Sequence, residues 1–311
     1  MMTRIVTHAA LATAVLTGAM QAQASSAVAI RFLTADPAVS DYGPYFSPDS
    51  GSIVFARRAE GSTMSQLFVV SRSGGPARPL LNSSLPVSAT RANWSAHDNS
   101  IAFTGTYPDG RNTIWVVNGD GSAPHQLELS GVSNEVYYPS WYPDGRRLAF
   151  LDARDRVIKR VDRDSSTVVT LTNAAEVFAG MPSVSPDGKF IAFAGQKNAG
   201  QRYDQTKNSV WLLTPEGTVR PLEEAQPQGR TPAWSPDGEW VTFESNRGSD
   251  DPALYAVFIV RRDGSGLRQL TTYDVNANHP IWSRNGRYIT FSARHTRGNT
   301  QTGIALVEVP K

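Results

Sequence analysis

Short apolar runs, each about the length of one β-strand, alternate along the chain with clusters of Pro, Asp, Gly and Ser. The clearest stretch runs from Thr231 to Thr271. It reads Trp234-Ser235-Pro236-Asp237-Gly238-Glu239-Trp240-Val241-Thr242-Phe243, then a polar loop, then Ala256-Val257-Phe258-Ile259-Val260, then Arg262-Asp263-Gly264-Ser265-Gly266-Leu267-Arg268-Gln269-Leu270-Thr271. That pattern predicts four short strands. In the Ser-Pro-Asp-Gly turn, Pro presets a φ near −65°, Asp bonds the backbone locally and Gly supplies a positive φ. Asp263-Gly264 does the same between the third and fourth strands.

The pattern repeats. An apolar anchor is followed nine residues later by Phe at Phe46 and Phe55, Trp94 and Phe103, Trp141 and Phe150, Val184 and Phe193, Trp234 and Phe243, and Trp282 and Phe291. Successive anchors lie 48, 47, 43, 50 and 48 residues apart, so insertions fall outside the first hairpin and leave its register intact. The last unit ends after its third strand, Gly303 to Val309. Its missing partner is at the other end of the chain, where Ile30-Arg31-Phe32-Leu33-Thr34 matches Leu267-Arg268-Gln269-Leu270-Thr271. An all-β, six-bladed propeller of four-stranded antiparallel blades is therefore expected, closed by the N-terminal strand completing the last blade, because closure hides edge strands.

Composition adds location and removes some chemistries. Arg4 is the one charge before Ser25, Ala9 to Met20 is a short apolar core, and Ala22-Gln23-Ala24 is a small-x-small cleavage site. Residues 1–24 are thus expected to be a signal peptide, leaving residues 25–311 as a single periplasmic or secreted propeller domain. The apolar core is shorter than the ~20 residues a membrane helix needs. There is no Cys, which removes disulfides, thiolate metal sites, a Cys nucleophile and a lipid-modified N-terminal Cys. The formal net charge is +2, with no basic run, which argues against nucleic acid as a partner.

The Trp-Ser-Pro-Asp-Gly turns, the Phe nine residues past each anchor and the Asp-Gly-Ser…Arg-Gln-Leu-Thr endings resemble the repeats of the TolB propeller family, over roughly residues 29–310. Two blades depart from the pattern, with Ala96, His97 and Asp98 in blade two and Arg284 and Asn285 in blade six. TolB carries a separate domain before its propeller. Here Ser25 runs almost directly into Ile30, so a propeller-only relative is expected. The resemblance implies a protein partner at the tunnel mouth, since TolB offers that mouth to the peptidoglycan-associated lipoprotein. Similar propellers also precede the hydrolase domain of prolyl-oligopeptidase-type peptidases, but no Gly-x-Ser-x-Gly elbow occurs here.

In a four-stranded antiparallel blade the uniform Asp-Gly turns share one face, and the variable loops share the other with the crossovers between blades. The variable loops are Arg57 to Ser65, Gly105 to Arg111, Asp152 to Arg156, Gly195 to Ser209, Ser245 to Ala253 and Arg294 to Thr302. Binding usually lives on such loops. The longest, Gly195 to Ser209, offers Lys197, Arg202, Tyr203 and Lys207 as contacts. Residues entering each innermost strand are expected to ring the tunnel mouth. They are Tyr42, Arg91, Tyr138, Met181, Arg230 and His279, with Asn93, Tyr137 and Asn278 beside them. Aromatic, Met and Arg side chains gathered at one mouth suit a protein or peptide anchor.

Catalytic signatures are weak. His97, His125, His279 and His295 show no metal-ligand spacing, so neither a metal nor a cofactor is expected. Asp49, Asp144, Asp187 and Asp237 occupy turns whose geometry calls for Asp. The in-register Trp residues fit the core between blades better than a sugar platform. Three readings remain: a monomeric, non-catalytic envelope module that binds a protein or peptide at the tunnel mouth; a carbohydrate-active lyase or hydrolase working there through Arg91, Arg230, Tyr138 and His279; and a scaffold or sensor using the Gly195 to Ser209 loop. The first leads, because no catalytic constellation emerges.

Overall fold

The computed structural model describes residues 28–81, 85, 87–223, 228–295 and 300–310. The expected signal segment lies outside these residues. Six four-stranded sheets form, and in five of them the strand order follows the chain. Their innermost strands, Val39–Phe46, Ser88–Trp94, Val136–Trp141, Val177–Val184, Arg230–Trp234 and Asn278–Trp282, contact one another in sequence, and the sixth contacts the first. That circuit is a six-bladed propeller around a central tunnel.

The sixth sheet is completed from the N-terminus. Arg31 and Phe32 pair antiparallel with Leu306 and Ala305. Two further bonds lock the junction, from the Leu33 amide to the Ile304 carbonyl (2.7 Å) and from the Ile304 amide to the Thr34 hydroxyl (2.8 Å). Leu33 is buried with Phe46, Ile53 and Phe55 of the first blade and Ile304 and Leu306 of the last. The closure therefore seals a blade interface as well as a sheet edge.

Burial explains the repeat. The six repeated Phe side chains are all fully buried. Apolar clusters form between consecutive blades. Val54 and Leu67 of blade one pack with Trp94 and Phe103 of blade two, and the same arrangement recurs round to Val257 and Ile259 with Trp282 and Phe291. The anchor indoles also bind across these interfaces. Trp141 Nε1 donates to the Asn93 carbonyl of the preceding blade (3.2 Å), and Trp234 Nε1 to the Ser183 carbonyl (3.0 Å).

The turns owe their uniformity to local bonding. In Ser235-Pro236-Asp237-Gly238, the Ser235 hydroxyl donates to Asp237 (2.5 Å) and accepts from the Trp240 amide (2.9 Å), while Gly238 sits at φ +72°. In blade two the left-handed residue comes one place later, at Asn99 (φ +62°), whose side chain accepts from Trp94 Nε1 (2.7 Å). In blade six Gly286 stands where Gly238 does, and the Asn285 side chain accepts from the Ser283 hydroxyl (2.8 Å) as Asp does elsewhere. The turn carboxylates serve this bonding. The Ser47 hydroxyl and the Gly51 amide hold the Asp49 carboxyl below the usual carboxylate range.

Candidate functional site: the central tunnel

Every innermost strand is interrupted at the same place. Pairing with the second strand slips between Tyr42 and Tyr45, Thr90 and Asn93, Tyr137 and Ser140, Gly180 and Ser183, Arg230 and Ala233, and Asn278 and Ile281. In each case two residues face one. The one is always the repeated Phe: Gly43 and Pro44 lie opposite Phe55, for example, and His279 and Pro280 opposite Phe291. The constant nine-residue spacing is thus the register of a bulged hairpin.

The first bulge residue takes a left-handed backbone in all six blades, at Gly43, Arg91, Tyr138, Met181, Thr231 and His279, with φ between +47° and +61°. For the five that carry a side chain this conformation costs about 1–3 kcal/mol each. The second bulge residue is Pro in every blade except blade two, which has Ala92. Proline has no N–H, so at a position without a ladder partner it leaves no donor unsatisfied.

Three of the left-handed residues have their amide bound by the preceding blade. Gly43 N donates to the Ser292 hydroxyl (3.0 Å), Tyr138 N to the Thr104 hydroxyl (3.2 Å) and His279 N to Glu244 Oε2 (2.6 Å). Each acceptor directly follows a repeated Phe. The equivalent residues in the other blades, Ala56, Leu151 and Ala194, have no side-chain acceptor.

The bulges line a cavity of about 80 Å³, room for several water molecules. Arg91, Asn93, Tyr138, Met181, Thr231 and His279 border it, with Pro44, Pro139, Pro182 and Pro232 between them. An Arg91 Nη1–H donates to His279 Nε2, and the guanidinium lies 4.9 Å from the centre of the Tyr138 ring. Behind His279, Glu244 is 1% exposed and pairs with Arg230 at 2.8 Å. Burial would raise the Glu244 carboxyl, but the Arg230 guanidinium and the hydrogen bond from the His279 amide hold it below its ordinary value. Burial and the Arg91 guanidinium push His279 down to about 3. The imidazole is therefore neutral at pH 7, and with Nε2 accepting, its proton sits on Nδ1, which is buried without a partner among the described residues.

Five of the nine expected mouth residues border this cavity: Arg91, Asn93, Tyr138, Met181 and His279. The other four are used elsewhere. Tyr42 and Arg230 stand one residue before their bulges, so the positions facing the tunnel are Gly43 and Thr231. Tyr42 packs between blades one and two, with its hydroxyl on Ser65. Arg230 is held by Glu244 and lies 4.1 Å from the Tyr255 ring centre. The Tyr137 hydroxyl accepts from Asn112 (2.7 Å), and Asn278 donates to the Asn276 carbonyl (2.6 Å). The prolines and Thr231 escaped the sequence reading, although Pro two residues before five of the six anchors was a visible signal.

The Gly195 to Ser209 loop is internally braced. Tyr203 lies beneath Arg156 at 3.9 Å and accepts from Asn208 (2.9 Å). The Asp204 amide donates to the Gln196 side chain (2.7 Å), and a single 3-10 turn spans Gln205–Lys207. Lys197, Arg202 and Lys207 remain exposed. Among the described residues no group of three His, Cys, Asp or Glu side chains is arranged to hold a metal ion, and no helix is long and apolar enough to cross a membrane.

Known proteins share this architecture. The chain is 24% identical over 254 residues to the uncharacterized protein Atu1656 of Agrobacterium fabrum, covering 78% of this chain and 81% of that one. It is 24% identical to the Tol-Pal system protein TolB of Francisella tularensis over 62% of this chain, and 28% identical to the uncharacterized peptidase YuxL of Bacillus subtilis over 40%. The chain spans 43% of that TolB and 18% of that peptidase. Among solved structures, a putative TolB from Agrobacterium tumefaciens superposes with a TM-score of 0.63 at 20% identity, over 87% of this chain and 91% of that one. An oligogalacturonate lyase in complex with manganese has the same fold, with a TM-score of 0.59 at 13% identity, over 88% of this chain and 78% of that one. The TolB beta propeller domain matches residues 31–220, more than half of the length, and the chain belongs to that family.

Proposed function

We propose that the protein is a non-catalytic, exported binding module that takes a protein or peptide partner at the central tunnel, in the manner of a Tol-Pal envelope component. One observation carries this reading. Five strained bulges turn Arg91, Tyr138, Met181, Thr231 and His279 towards one cavity, and no acid–base pair stands over a common reacting position there. Strain repeated at one level round the ring supports recognition. Aromatic, Met and Arg groups are the usual anchors for a peptide, and Arg91 is already held in place by His279 and the Tyr138 ring. The lyase likeness supports the fold alone. The tunnel lining, with His279 as its one imidazole and no carboxylate, does not fit a bound metal.

The test is peptide display against the immobilised protein, followed by calorimetry. Selected peptides are expected to bind the unmodified chain and to lose at least about tenfold in affinity with Tyr138→Ala or Met181→Ala, the loss of one anchoring contact. Failure to select any peptide, or binding unchanged in both variants, rejects the reading.

A further inference from the structure

The cavity has an unbalanced charge. None of its lining residues is acidic, and Arg91 is its one formally charged group. The contacts of that guanidinium among the described residues are a neutral imidazole and an aromatic ring. Arg230, the guanidinium behind His279, is already committed to Glu244. Glu244 makes no ion pair with Arg91. It lies behind His279 and spends Oε1 on Arg230 and Oε2 on the His279 amide.

The arrangement also aims the guanidinium. Tyr138 covers one face of it, and His279 engages Nη1. Because Nε2 of His279 accepts, the ring offers Arg91 a lone pair and stays uncharged, so it neither repels nor neutralises an incoming anion. Planar guanidinium forks match carboxylates, and a partly desolvated cation gains most from such a pairing. The size fits as well, because about 80 Å³ admits one small planar group and not a folded element.

We infer that the tunnel receives a carboxylate, carried by an acidic side chain or by the C-terminus of the peptide partner, with the Arg91 guanidinium as its counter-charge. This rests on the peptide-binding reading above and names the chemistry that the site selects. Tyr138 and Met181 supply the apolar wall around the ligand's stem, and Asn93 is the polar neighbour on the blade of Arg91.

The test titrates the full chain with N-acetyl-aspartate amide, its asparagine counterpart, and N-acetyl-alanine with a free C-terminus, read by calorimetry and by the NMR signals of His279 and Tyr138. At least one carboxylate probe is expected to bind saturably, about tenfold or more tighter than the asparagine probe, as befits a hydrogen bond to a charged group. Which carboxylate wins separates a side-chain ligand from a C-terminal one. Arg91→Gln should abolish the discrimination and Arg91→Lys should restore part of it, both with melting temperatures near that of the unmodified protein. No saturable binding of either carboxylate, equal binding of the asparagine probe, or discrimination surviving in Arg91→Gln overturns the inference. Galacturonic acid bound more tightly than both peptide probes would also overturn it, by assigning the site to a sugar acid. Selected peptides that bind without any carboxylate would sink this inference and leave the peptide module standing. Carboxylate discrimination with no peptide ever selected would keep Arg91 as the counter-charge of a carboxylate and reject the peptide as its carrier.

Discussion

Arg91 and His279 touch across the tunnel although blade one stands between their blades. They meet because the bulge of blade one is Gly43, which puts no side chain between them. A Cβ built on Gly43 would have nothing within 4 Å. At the turn face the same two blades meet again, where Arg284 Nη2 donates to the Trp94 carbonyl (3.3 Å). Arg284 replaces the Pro of the usual turn, so the departure in blade six places a guanidinium across that end of the ring.

Gly43 is the first position to change. Gly43→Ala should cost about 1 kcal/mol, the price of a side chain at positive φ, since the surrounding space is open. Gly43→Leu should fold with a similar loss while adding a bulky side chain to the tunnel lining that Arg91 and His279 share. Denaturant melts together with probe titration separate the two effects. Ligand binding retained in Gly43→Leu would mean that the tunnel is not the route in.

Acid should weaken the fold in a defined window. His279 is held neutral, so the unfolded chain binds a proton that the folded one refuses between pH 6.5 and about pH 3. Stability that is complete above pH 6.5 is lost as the pH falls through this range. Glu244, shifted downwards, adds a loss at still lower pH, below its ordinary 4.5. Between pH 7 and pH 5 the His279 contribution should amount to about 2 kcal/mol. Urea melts of His279→Gln should show a correspondingly flatter profile over that interval. An unchanged slope would place the pH sensitivity elsewhere.

Glu244 joins two blades through one carboxylate. Glu244→Ala should cost up to about 3–5 kcal/mol, because it leaves the half-buried Arg230 guanidinium without its carboxylate and the His279 amide without an acceptor. Glu244→Ala/Arg230→Met should recover much of that loss, since the stranded charge is then gone. A double-mutant cycle by chemical denaturation measures the coupling, and additive losses would deny it.

Closure is testable at Leu33. Leu33→Ala should cost about 2–5 kcal/mol by opening space between the first and last blades. Removing residues up to Thr34 should also bare the strand Thr302–Glu308 and promote association, visible in light scattering. A truncated chain that melts like the full one would refute the role of this strand.

Phe243→Ala should cost about 3–5 kcal/mol, as expected for a fully buried Phe. It should also disturb the tunnel, because Phe243 lies opposite the bulge at Thr231 and Pro232. A shift in the NMR signals of His279, next to Glu244 on the following blade, would report that disturbance.

The amino-acid sequence by itself determined the blade. Turn residues, apolar runs and the invariant spacing of anchor and Phe are local, and local sterics and hydrogen bonding act on them wherever the chain goes. Repeat count and the match of Ile30 to Thr34 with the ends of the other blades were enough to predict the closed ring. Tertiary structure alone decided which residues face the tunnel. Tyr42 and Arg230 stand four residues before their anchors and Arg91 and His279 three before theirs, and only the bulge shows that the position three before the anchor is the one that faces the tunnel. The meeting of Arg91 with His279, and of Glu244 with both His279 and Arg230, likewise joins residues far apart in sequence. Their charge balance depends on ring closure and on the burial that closure creates.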